Sequence, residues 1–276
     1  MRHSPSGRHV LKSLVSLNRQ ETISFNSESN GLNTINLMKA HGIILIFTWI
    51  VVVSTGILIA RYFKRAWSNR KICGKAVWFA IHRALMSSAS ILSLIALILI
   101  LVYKKGQWAS SANQTEFVHS IVGIIVISFA TIQPFMALFR CNPDDNYRFI
   151  FNYCHAFVGL SAFVLSIAAI FLAMFFTQFE FNMTKEWAIL VVWSCWLPIV
   201  FIVFETIEIC FQRLAPSEEV NSYSLNNYPD SSSGKAEPIG KGENKNEHRI
   251  KLLLLAFHVL IATGLALALM ILVGRS

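Results

Sequence analysis

Six stretches of this 276-residue chain stay apolar for twenty residues or more, at roughly 38–60, 76–103, 117–139, 149–176, 187–209 and 252–273. At about 1.5 Å of rise per residue, each is long enough to cross ~30 Å of hydrocarbon. Lipid offers no partner for an open backbone, so runs of this length must satisfy their own hydrogen bonds as helices. The expected fold class is therefore an all-α multi-pass membrane protein with six transmembrane helices, Pro134 and Pro198 kinking the third and fifth. Composition agrees: 54% of residues are hydrophobic and only 14% charged, against about 25% charged in soluble domains. A net charge of +9 does not point to nucleic acid, because the basic residues sit in short clusters beside apolar runs, as in Arg61, Lys64, Arg65, Arg70 and Lys71. The expected surroundings are membrane lipid.

Charge asymmetry orients the chain. The loops after the first, third and fifth spans (61–75, 140–148 and 210–251) hold fourteen Lys and Arg, whereas the intervening loops and the C-terminal tail hold four. Positive loops stay cytoplasmic, which places the N-terminus outside. Both N-x-S/T sequons, at Asn113 and Asn182, then fall on external loops, marking a glycoprotein of the plasma membrane or an endomembrane vesicle. Polar composition divides the rest. Residues 1–34 are expected to be an extracytoplasmic tail, 35–210 the main transmembrane domain with its core at 35–176, 211–250 a disordered cytoplasmic loop, and 251–276 a C-terminal transmembrane helix.

Each of the first four spans carries one histidine: His41, His82, His119 and His155. An ionisable residue inside a span is costly and marks function by default, the bland alternative being a hydrogen bond between helices. Depth sorts the four. His41 and His119 lie at the outer starts of their helices. His82 and His155 lie about six residues, or ~9 Å, in from the cytoplasmic starts of theirs. Within each level the two come from alternate helices, which are diagonal neighbours in an up-down-up-down bundle. Diagonal imidazoles can approach one metal from opposite sides, as the axial ligands of a haem do. Gly123 and Gly159 follow His119 and His155 by four residues, on the same helix face. They either clear space for a flat macrocycle or simply allow close helix packing. Carboxylates are absent from the interiors of these four spans, which disfavours a metal-ion transporter. Arg83 is the one cation in the interior of an expected span, either pairing with an anionic donor or haem propionate or snorkelling to the headgroups. Arg61, Lys64, Arg65, Lys75 and Arg140 form a basic inner rim. His258, in the sixth span, has no partner at matching depth and is expected to be packed or lipid-facing.

The segments KAHG at Lys39–Gly42, WFAIHR at Trp78–Arg83, FVHSIVG at Phe117–Gly123 and FNYCHAFVG at Phe151–Gly159 resemble the cytochrome b561 family, and within it the ferric-chelate reductases. The resemblance covers about 35–176. It implies two haem b cofactors in a four-helix di-haem core, the outer iron held by His41 and His119 and the inner by His82 and His155. It further implies electron transfer from ascorbate on the cytoplasmic side to a ferric chelate outside, by an oxidoreductase without a protein nucleophile or base. Larger members place reeler and DOMON domains where this chain has its polar tail. The rival readings are a non-enzymatic receptor or channel partner that keeps the helical core, and a metal-ion transporter. Oligomeric state is open, a homodimer included.

Overall fold

The computed structural model describes residues 35–67, 70–138, 147–176, 183–214 and 245–275. Six helices fill them: α1 (Ile35–Tyr62), α2 (Val77–Tyr103), α3 (Gln114–Leu138), α4 (Arg148–Ala173), α5 (Met183–Leu214) and α6 (Lys245–Arg275). All six are long and apolar enough to span a membrane. Exposed Leu, Ile, Val and Phe side chains line α2 to α6, as expected of helices whose outer solvent is lipid. α1 differs: 56% of its most apolar window is buried, against 11–28% in the other five. It is the central helix, packed on α2, α4, α5 and α6.

Between α1 and α2 a short hairpin pairs β1 (Lys71–Ile72) with β2 (Lys75–Ala76). Its two turn residues, Cys73 and Gly74, both have positive φ, +49° and +74°. That is the type I′ geometry whose twist matches the flanking strands.

Near its middle α1 loosens into a π-helical segment, Thr48–Val53, all six residues of which are buried. Hydroxyls at its two ends satisfy backbone carbonyls: Thr48 Oγ1 donates to Ile44 O at 2.7 Å and Ser54 Oγ to Ile50 O at 2.6 Å. A comparable repair serves Pro134, which lies inside α3. Proline has no N–H to give the carbonyl four residues back, and Ser90 Oγ on α2 donates to that carbonyl, Ala130 O, at 2.7 Å. Pro198 likewise lies inside continuous α5.

The ends of α5 and α6 depart from the expected linker of 211–250. α5 runs on to Leu214 and α6 begins at Lys245. Lys251, the first residue past that linker, is 1% exposed. Its ammonium bridges Glu208 of α5 and Glu247 one turn earlier, the latter at 2.6 Å. Arg65 meets Glu208 from the end of α1 at 3.6 Å. These pairs tie the polar first turns of α6 to α5, which is why the helix starts before its apolar run does. The tail at 1–34 and the remaining loop at 215–244 lie outside the described residues, as do Arg140, Cys141 and Asn182.

Candidate haem-binding site

α3 opens with a reciprocal cap. The Glu116 N–H points to Asn113 Oδ1 at 3.5 Å, and Asn113 Nδ2 donates to Glu116 Oε1 at 2.9 Å. This N-x-x-E arrangement resembles a capping box. Lys104, at the end of α2, pairs with Glu116 at 3.0 Å. From there a helical face runs Glu116, His119, Ser120, Gly123, Ile127, and all five line one cavity of about 170 Å³. His41 and Gly42 of α1 line it too. A Cβ built on Gly123 would meet no atom within 4 Å, so the space beside His119 is open.

Toward the other end, the His82 and His155 rings approach each other with centroids 6.4 Å apart and planes at 73°. Phe151, one turn before His155, stacks on its ring at 5.8 Å. Gln133 of α3 donates to the His155 backbone carbonyl at 3.0 Å. Its amide also lies 3.5 Å from where a Cβ on Gly159 would stand. Gly159 therefore serves close contact between α3 and α4 here, and Gly123 does not.

Three of the four imidazoles share one hydrogen-bond pattern. Nδ1 of His41 lies 2.8 Å from Ala96 O, Nδ1 of His82 3.0 Å from Gly56 O, and Nδ1 of His119 2.9 Å from Ala169 O. A carbonyl can only accept, so Nδ1 carries the proton and, in the neutral ring, Nε2 keeps its lone pair. Metal-binding histidines are commonly oriented this way, the second nitrogen donating to a carbonyl that fixes tautomer and ring plane. The carbonyls belong to neighbouring helices: α2 for His41, α1 for His82 and α4 for His119.

The donor set suits a haem. Among the described residues no three or more His, Cys, Asp or Glu converge into a cage for a bare ion. Two imidazoles facing one another can instead fill opposite axial positions and leave the equatorial plane to a macrocycle. His82 and His155, with ring centres 6.4 Å apart, would be the residues to hold it at this level. At the other level the open face beside Gly123 offers room for a flat ligand between His41 and His119.

Arg83 is exposed, its guanidinium 6.0 Å from the Phe79 ring centre. Two members of the expected basic rim are engaged: Arg61 with Glu205 at 3.4 Å and Arg65 with Glu208. His258 is fully buried rather than lipid-facing, hydrogen-bonded to Ser54 and Trp196. Sequence reasoning missed Lys104 and Glu116 as cavity residues and saw Lys104 only as a topogenic charge. The i, i+3/4, i+7 recurrence of Glu116 with His119 and Gly123 was the available signal.

Residues 40–181 match the family described as eukaryotic cytochrome b561. The chain is 33% identical to ferric-chelate reductase 1 of Homo sapiens over 167 residues, 60% of this chain and 27% of that protein. It is 28% identical over 228 residues to a putative ferric-chelate reductase 1 of Xenopus laevis, covering 82% of this chain and 38% of that one. A cytochrome b561 and DOMON domain-containing protein of Arabidopsis thaliana is 30% identical over 140 residues, 48% of this chain and 30% of that one. The chain thus spans between a quarter and two fifths of the length of these relatives. No solved structure matches it. A helical membrane fold carrying histidines on its first four spans, with the family's match running from the first of these spans to just beyond the fourth, places the chain in the eukaryotic cytochrome b561 family.

Proposed function

We propose that the chain is a transmembrane electron-transfer protein with two b-type haems, one held by His41 and His119 and the other by His82 and His155. The observation that carries this reading is the repeated Nδ1-to-carbonyl hydrogen bond, which presets imidazoles at both ends of the bundle as axial ligands. Bound there, the haems supply one-electron carriage from ascorbate in the cytoplasm to a ferric chelate outside, which is reduced to the ferrous state.

The protein's own part is to hold, orient and insulate. Ala96, Gly56 and Ala169 carbonyls fix the rings, α1 to α4 (35–176) form the insulating core, and Gly123 leaves a flat face clear. Lys104 at the mouth of the His41 cavity offers a cation to a haem carboxylate. Arg83, exposed at the opposite end, draws an anionic donor. The positive loops and the sequon at Asn113 support an external N-terminus, with the His41 level outermost and the 215–244 loop in the cytoplasm. The plasma membrane or an endomembrane vesicle fits that orientation.

Two measurements test the reading. Purified protein should give a reduced-minus-oxidised spectrum of low-spin b-type haem at about two haems per chain. In proteoliposomes, ascorbate on the side of a tag inserted at Ser232 should reduce ferric chelate on the other. Absence of haem, or reduction only when both reagents share a side, would sink it.

A further inference from the structure

We infer that His258 of α6 is a positioning residue for the inner haem site, acting through Ser54 and the segment of α1 that holds His82. This rests on the assignment of His82 as an axial ligand.

His258 is 0% exposed and lies outside the four-helix core that carries the other histidines. Trp196 Nε1 donates to its Nδ1 at 3.2 Å. An indole nitrogen is donor only, so Nδ1 is the acceptor and the ring proton sits on Nε2. Nε2 therefore donates to Ser54 Oγ at 3.1 Å. Ser54 Oγ in turn donates to Ile50 O at 2.6 Å. The chain of donors runs in one direction, from α5 through α6 into α1, and every polar atom in it is satisfied.

It ends at a sensitive point. Ser54 is the residue at which the π segment of α1 gives way to α-helix. A π segment carries a local excess of residue over the α register, so where it ends sets how the rest of the helix is rotated. Two residues further on, Gly56 O receives the Nδ1 proton of His82 at 3.0 Å. At that same glycine α1 and α2 press close, because a Cβ on Gly56 would run into the Met86 side chain. Rotation of α1 past Ser54 would carry the Gly56 carbonyl away from His82. The clamp from His258 opposes that rotation, and it acts at the inner level. His41 lies on the other side of the π segment.

The test uses full-length protein in detergent, with the inner haem signal assigned by its loss in His82→Ala. Haem release to excess apomyoglobin and the low-spin EPR signal of each haem are recorded for the parent, His258→Phe, His258→Gln and Ser54→Ala. In His258→Phe the inner haem should leave about tenfold faster, the lower end of what loss of an outer hydrogen-bond partner does to a metal site. Its EPR signal should shift while the outer haem keeps its own. Ser54→Ala should reproduce the effect, and His258→Gln, which can accept from Trp196 and donate to Ser54, should return the rate toward the parent's. Equal loosening of both haems, no change in either, or failure of glutamine to rescue would overturn the inference. If His258→Phe does not accumulate, Ser54→Ala and His258→Gln decide it alone. A parent without haem instead refutes the functional reading itself.

Discussion

The two ends of the four-helix core treat their histidines differently. At the His41 and His119 end the side chains stand back around an open cavity, with Gly123 facing empty space and Lys104 paired to Glu116 at the mouth. At the His82 and His155 end the rings close to 6.4 Å, Phe151 stacks on one of them, and the nearby glycines are filled by Met86 and Gln133. One motif, a histidine with glycine four residues on, thus produces two environments. A glycine in a helix states only that a side chain is missing; the neighbouring helix decides whether the gap is space or contact.

The largest expected effects come from the histidines. His41→Ala and His119→Ala should each lower haem content from about two per chain to about one and leave matching spectra, since noncovalent haem depends on its axial bonds. His82→Ala and His155→Ala should form a second matching pair, and a double variant taking one residue from each pair should lose both haems. Pyridine haemochrome assay with visible spectra reads this out. If His41→Ala matches His82→Ala rather than His119→Ala, the division into two ends is wrong.

Next comes Lys251→Met, which leaves Glu208 and Glu247 without their shared buried ammonium. Removing one partner from a buried ion cluster costs about 3 kcal/mol or more, so thermal unfolding in detergent should move down by several degrees. The change should be felt first at the closed end, where α5, α6 and the end of α1 meet. A variant that melts with the parent would detach this cluster from the stability of that end.

The glycines sharpen the contrast. Gly123→Leu should project into the open cavity and weaken the outer haem by about 1–3 kcal/mol of overpacking, seen as sub-stoichiometric outer haem. Gly159→Ala meets Gln133 at an ordinary contact distance and gains up to about 1 kcal/mol of helix propensity, so its haem content and melting should stay at or slightly above the parent's. Equal behaviour of the two variants would erase the distinction. The smallest effect is expected for Arg83→Gln. As an exposed charge it should slow haem reduction by ascorbate by about threefold at low salt, and by less as ionic strength rises, with haem content unchanged. Stopped-flow rates that ignore both the substitution and the salt would remove Arg83 from the donor's path.

The spans were legible because length and apolarity alone decide what can cross a bilayer. The two histidine levels were legible because depth along a helix is a matter of counting. Illegible were the partners that orient the rings: Ala96, Gly56 and Ala169 act through backbone carbonyls, and every residue has one. The start of α6 at Lys245 was also hidden, since it depends on ion pairs with Glu208 that only packing creates. His258 read as an unpartnered residue because its partners, Ser54 and Trp196, lie on two other helices at 204 and 62 positions' separation.

The buried ammonium of Lys251 also bears on how such a chain is put together. α6 is apolar enough to cross by itself, but Lys251 at the start of its apolar run and His258 within it find partners on α5 and α1. Glu208, Trp196 and Ser54 are all supplied by helices that emerge from the ribosome earlier. When α6 arrives, the carboxylate and the hydrogen-bonding groups that compensate its polar residues are already in place. Docking of α6 against the bundle is thereby tied to correct placement of α1 and α5.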